Sequence, residues 1–169
     1  NPLDGDQAGF LAELTQLKEL YIAADSIQKL NGIENCKKLE YLETKNLTPS
    51  RNMYRGGKLL IEENRLDSLK DLPKLKELLI RGTRHNYEIY TFNRGFSALK
   101  KLKIETTNSQ LIFQEGSCSK LESLIGDGGY WKEYTGSWGR KSTTEYIPYS
   151  FNRIEGLSNI SRLKRISIN

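Results

Sequence analysis

An α/β solenoid is the fold class this sequence predicts: a curved parallel β-sheet of six to eight repeats, with an irregular or short helical convex side. Three observations predict it. Six nine-residue windows align without gaps: LTQLKELYI (14–22), CKKLEYLET (36–44), LPKLKELLI (72–80), FSALKKLKI (96–104), CSKLESLIG (118–126) and ISRLKRISI (160–168). The fourth position is always Leu, the seventh is Leu or Ile, and the ninth is Ile in four of the six. The windows start 22, 36, 24, 22 and 42 residues apart, and a period of about 20–29 residues with this spacing of leucines marks stacked strand-and-return units.

The physical reason lies in the alternation. Positions seven and nine point to one side of a strand, and positions six and eight to the other. One such strand cannot bury its apolar side alone. Stacked units share a continuous core, and about three are the minimum. This is the leucine-rich-repeat pattern, in an irregular form. The asparagine that usually follows the strand is mostly missing: Asp25, Leu47, Thr83, Thr107 and Gly129 stand at the equivalent places. The returning segments AADSIQKLNGIENCKK and TTNSQLIFQEGSCSK read as brief helical turns and extended stretches. The 36-residue gap leaves room for a degenerate repeat around Lys58–Ile61.

The 42-residue gap carries something else. Of 16 aromatic residues, seven fall between 130 and 151, among scattered glycines. The segment at about 128–150 reads as a long inserted loop leaving the solenoid, because glycine permits tight turns. Its rings argue against plain disorder. Two roles stand open: the rings cover the end of the core, or Trp131, Tyr134 and Trp138 project as anchors for a partner. The stretch from Tyr146 to Phe151 reads as the packed part, since it leads into the final repeat.

Length bounds the rest. The 169 residues suffice for a single domain, 1–169, with a real core. The chain does not begin with Met, and its one Met is Met53, so it reads as a piece of a longer protein. No run of about 18 apolar residues exists, which predicts no membrane span. Charged residues make up 28% and the formal net charge is +5, with both signs interspersed. That balance makes nucleic acid an unlikely partner class, unless the cations cluster on one face.

Catalytic chemistry finds little footing. His85 is the one histidine, in a polar stretch, and no nucleophile or acid–base set assembles around it. GSWGRKS (136–142) lacks the spacing of a phosphate-binding loop, which needs Lys directly after its second Gly. Cys36 and Cys118 both occupy the first window position, where other windows carry Leu, Phe or Ile. Three repeats separate them, about 14 Å at the sheet spacing, and a disulfide needs Cα atoms within about 7 Å. Buried, reduced thiols are expected, in a cytoplasmic compartment. No enzyme activity, cofactor or metal is expected.

Binding is the expected activity, on the concave sheet face. Alternation places Tyr21, Tyr41, Glu43, Lys45, Glu77, Leu79, Arg81, Lys101, Lys103, Ile125 and Arg165 there. Exposed Tyr21, Tyr41, Leu79 and Ile125 serve solubility poorly, and aromatic and Arg residues are the usual anchors of protein interfaces.

From Lys58 onward the chain resembles the C-terminal leucine-rich repeats of plant intracellular immune receptors of the nucleotide-binding type, especially the cereal coiled-coil ones. LDSLKDLPKLKELLI (66–80), TFNRGFSALKKLKI (91–104), LIFQEGSCSKLESL (111–124) and RIEGLSNISRLKRISIN (153–169) carry the resemblance, over about 110 residues. Ser97 stands where that family often has Pro, and Cys118 and Ser119 replace its Met-Pro. IQKLNGIENCKKLEYL looks more like a generic leucine-rich repeat. The resemblance implies the sensor end of such a receptor, binding a pathogen effector or the receptor's own nucleotide-binding domain. A generic repeat adaptor docking a partner enzyme is the alternative.

Overall fold

The computed structural model describes residues 10–23, 30–45, 52–55, 58–61, 65–82, 88–134 and 143–168. Its strands, in chain order, are β1 (Glu19–Ala23), β2 (Tyr41–Lys45), β3 (Asn52–Arg55), β4 (Lys58–Ile61), β5 (Glu77–Arg81), β6 (Glu88–Phe92), β7 (Lys101–Glu105), β8 (Ser109–Phe113), β9 (Ser123–Gly126), β10 (Gly129–Tyr134), β11 (Thr143–Pro148), β12 (Phe151–Glu155) and β13 (Arg165–Ile168). Short 3₁₀ helices at Ile33–Asn35, Arg65–Leu69 and Leu157–Asn159 sit between them. The class is α/β as expected, with mostly parallel strands and few helical segments.

All six windows contribute strands to one parallel sheet, in the order β1-β2-β5-β7-β9-β13. The seventh-position residues lie in register across it: Leu20, Leu42, Leu78, Leu102, Leu124 and Ile166. Each window also repeats two hydrogen-bond patterns. The amide of its fourth residue donates to the carbonyl of its first, as in Leu39 to Cys36 and Leu121 to Cys118, both 2.9 Å. The carbonyl of its fifth residue accepts two amides from the next window. Lys18 takes those of Glu40 and Tyr41, Glu40 those of Lys76 and Glu77, and Lys76 those of Lys100 and Lys101. Lys100 and Glu122 continue the series to β13. The shared leucine pattern thus goes with the same backbone hydrogen-bond pattern at each step.

The other side of the core departs from expectation. It is not irregular: β6, β8 and β12 form a second parallel sheet, in the order β12-β8-β6. The reason is period-two burial in EIYTF and SQLIF, where Glu88, Tyr90 and Phe92, then Ser109, Leu111 and Phe113, are buried. The inner faces of both sheets join one apolar cluster, which holds Phe92 and Phe113 together with Leu78, Leu102 and Leu124. Two glycines are set by close approach across it. A Cβ on Gly126 would lie 1.9 Å from the Phe151 ring, and one on Gly82 would lie 2.1 Å from a Glu88 carboxylate oxygen.

Two further expectations are corrected. Lys58–Ile61 is not a degenerate repeat of the main sheet: β4 pairs antiparallel with β3, while β2 pairs directly with β5. Within the segment 128–150, Gly129–Tyr134 and Thr143–Pro148 are not irregular: β10 and β11 form an antiparallel hairpin in which Trp131 faces Tyr146. Tyr, Trp, Thr and Ile on its strands suit a pleated surface, and that outweighs the glycines.

Both cysteines are free and buried. Cys36 Sγ donates to the Leu11 carbonyl at 3.3 Å. Burial raises both thiol pKa values and pushes that of Cys118 up to about 12. Among the described residues no helix is long and apolar enough to cross a membrane.

Candidate functional site

The outer face of the six-stranded sheet brings the expected residues together in rows. One row reads Glu19, Tyr41, Glu77, Lys101, Ser123, Arg165 along the register, and the next reads Tyr21, Glu43, Leu79, Lys103, Ile125, Ser167. A third begins Ala23, Lys45, Arg81, Glu105. Alternation dictates this, since Leu42, Leu78 and Leu102 fill the opposite side and are buried.

Charges on the face are cross-linked. Arg81 lies between two carboxylates, with a guanidinium nitrogen 3.2 Å from Glu43 and Nε 3.2 Å from Glu105. The second is an ion pair without hydrogen-bond alignment, and Nε lacks a bonded partner. Lys103 reaches the other oxygen of Glu105 at 2.7 Å, and Lys101 reaches Glu77 at 3.2 Å. Such half-exposed pairs stabilise the fold by about 0–1 kcal/mol each; their larger effect is to fix the register of charge across the face. Lys45 and Arg165 are exposed.

At the β1 end stand the aromatics. Tyr21 is 64% exposed, and its ring centroid lies 5.2 Å from that of Tyr41, tilted by 38°. Tyr41 donates its phenol hydrogen to Glu43 at 3.0 Å. Burial, and then this carboxylate, push the Tyr41 phenol up to about 12. Tyr21 points its hydroxyl at Glu19, 3.5 Å away, and its phenol is raised by partial desolvation and by that charge. A hollow of about 340 Å³ opens beside the pair. At its edge Lys76 holds Glu40 at 2.6 Å and depresses its carboxyl pKa.

The hairpin splits the two roles open for its rings. Trp131 is 69% exposed, and its ring lies 5.3 Å from the half-exposed Tyr146 ring. Tyr134 is also exposed, bonding Glu145 at 2.9 Å while Lys132 sits 4.7 Å over its ring. Phe151 instead packs on the core. Tyr146 therefore joins Trp131 outside rather than packing, because direct cross-strand register puts both on one hairpin face. Trp138 lies outside the described residues, as does His85. Replacing Trp131 with Ala is expected to change stability by less than about 0.5 kcal/mol. Replacing Phe151 with Ala is expected to cost about 2 kcal/mol. Thermal melts of the two variants check this, and equal losses would mean that Trp131 covers the core after all.

Alternation places Glu19 and Glu105 on the face as well, but the pairing of Glu105 with Arg81 and Lys103 was not readable in the sequence. Cross-strand neighbours depend on register, which single windows do not display. Among the described residues no group of three or more His, Cys, Asp or Glu side chains is placed to hold a metal ion. No protein-family model, curated protein or solved structure matches the chain.

Proposed function

We propose that this chain is a leucine-rich-repeat module that binds another protein through the outer face of its six-stranded sheet, as the sensor or autoinhibitory part of a plant intracellular immune receptor. Its partner is a pathogen effector or the receptor's own nucleotide-binding domain. The activity is recognition, without catalysis or cofactor, in the cytoplasm. One observation carries the binding reading: Tyr21, 64% exposed, has its ring tilted against that of Tyr41, 5.2 Å away, on a face that also holds Leu79 and Ile125. An apolar and aromatic surface rimmed by ordered charge is what protein interfaces use. The compensated cations favour a protein over nucleic acid, since Arg81, Lys101 and Lys103 each meet a carboxylate and phosphate tracking needs free ones. The receptor assignment rests on the four sequence stretches that resemble that family.

The intact gene tests the second part: a nucleotide-binding domain upstream of residue 1 is expected, and its absence would overturn the receptor assignment. With that domain in hand, its association with this chain tests the face. Arg81→Ala is expected to weaken binding roughly 30-fold, about 2 kcal/mol. Reversing Lys101 and Lys103 to Glu slows association more than it speeds release. Unchanged affinity in both variants, toward this domain and toward an effector that binds the wild-type chain, would remove the face from the interface.

A further inference from the structure

We propose that the hollow beside Tyr21 and Tyr41 receives the cationic end of an arginine or lysine side chain from the protein partner. This rests on the reading of the sheet face as a protein-binding surface, and it names the chemistry that one end of that face selects. Three features support it independently of the repeat pattern.

The first is the aromatic shelf. Two tyrosine rings lie 5.2 Å apart and tilted by 38°, with Tyr21 largely open to solvent. A cation over an aromatic ring face is attracted by the ring quadrupole, and arginine is the commonest such partner. The second is the direction of the phenols. Tyr41 donates to Glu43, and Tyr21 points to Glu19. A phenol that donates toward a carboxylate is polarised by it, so its ring becomes more electron-rich and disfavours an anion. The third is charge. Glu19, Glu40 and Glu77 line the hollow, against Lys18 and Lys76, a balance of three carboxylates to two ammonium groups on a chain whose net charge is +5. Lys76 is committed to Glu40 and Glu77 to Lys101. Glu19 has no ion pair among the described residues, and its carboxylate, 3.5 Å from the Tyr21 hydroxyl, can meet an incoming cation.

The volume of about 340 Å³ admits a side chain, and the hollow shares Tyr41 and Glu77 with the next depression along the face. A polypeptide could therefore lie across the strands while its cationic residue sits on the tyrosines. The next depression along the face, lined by Tyr41, Glu77, Leu78, Leu79, Lys101 and Lys103, is only about 50 Å³ and sets two lysines against one carboxylate, so the cation's place is at the β1 end.

The test uses the whole chain with ¹³C-labelled tyrosine rings, titrated with blocked tripeptides Gly-Arg-Gly, Gly-Lys-Gly, Gly-Leu-Gly and Gly-Glu-Gly. The Arg and Lys peptides are expected to shift the Tyr21 and Tyr41 ring signals saturably, and the Leu and Glu peptides not to. Tyr21→Leu keeps apolar area but removes the ring, and should weaken the Arg peptide about threefold or more. Glu19→Gln should weaken it about twofold and reduce its salt dependence. Equal shifts from the Leu peptide, no shift from the Arg peptide, or full affinity in Tyr21→Leu would overturn the assignment. The true partner separates this failure from the wider one. Loss of binding in Arg81→Ala with none in Tyr21→Leu and Glu19→Gln removes the cation site and leaves the face standing. No loss in any of the three removes the face itself.

Discussion

Phe92→Ala is expected to lower the unfolding free energy by about 4 kcal/mol and the melting temperature by on the order of 10 °C. The ring is fully buried on the inner side of β6. It stacks on Phe113 with centroids 5.1 Å apart and planes 16° from parallel, and it meets Phe96 edge-on at 5.3 Å. Phe113 is its direct register partner on β8, and Phe96 opens the fourth window of the main sheet. One side chain therefore joins the second sheet to the first. Truncating it removes apolar burial and leaves a cavity whose walls, held by two strands and a turn, collapse only partly. Phe92→Leu fills much of that space and should cost less than half as much. Urea titration of both variants measures the difference. A loss under about 1.5 kcal/mol for the alanine variant would mean that the two sheets do not share one core.

How much of this was legible follows from period and register. The main sheet was readable because each window carries period-two apolar positions on one side, and three of the five spacings between windows are 22–24 residues. The second sheet has the same period, but Glu88 and Ser109 stand on its buried side. A polar residue at a core position breaks the apolar pattern, and EIYTF then reads as an unremarkable return. The hairpin was hidden in a similar way. Gly126, Gly128 and Gly129 suggested a loop, while GYWKEY and TTEYIP carried the β-favouring residues that pair as β10 and β11. On the face itself, alternation alone placed Tyr21, Tyr41, Leu79 and Arg81 outward. What it could not give was adjacency. That Arg81 lies between Glu43 and Glu105 depends on how three strands from three windows align, and no single window contains that alignment.

Stability is expected to fall as pH rises above about 9, and most steeply between about 10 and 12. The main origin is a pair of buried acids held in their neutral forms, to which the raised Cys36 thiol and Tyr41 phenol add. Burial pushes the Cys118 thiol from its ordinary 9.0 up to about 12. Tyr90 is also fully buried; burial, then the charge of Glu88, hold its phenol well above 10.0. Its hydroxyl donates to Glu88 at 2.6 Å, and Thr106 donates to the same oxygen at 3.1 Å. Gly82 leaves the space that this cluster fills. The sign follows from linkage. Above pH 9 the unfolded chain releases the Cys118 proton while the native chain keeps it, so the native state binds more protons and its advantage shrinks with pH. Each such group contributes a slope of about 1.4 kcal/mol per pH unit. Over the roughly three units of the Cys118 shift, that amounts to about 4 kcal/mol lost by pH 12. Below pH 9 the stabilisation from neutral Cys118 is fully present and flat. Tyr90 adds its own slope from about pH 10 upward. Urea midpoints from pH 7 to 11.5 should therefore drop in the wild-type chain. Cys118→Ala should flatten the fall that begins near pH 9, whatever it costs at pH 7, and Tyr90→Phe should flatten only the part above 10. The exposed Tyr21 and the surface tyrosines are common to all three chains, so differences between their pH profiles isolate the buried pair. If Cys118→Ala keeps the wild-type slope between pH 9 and 11, the thiol is not the buried neutral group that the packing of β9 against the core requires.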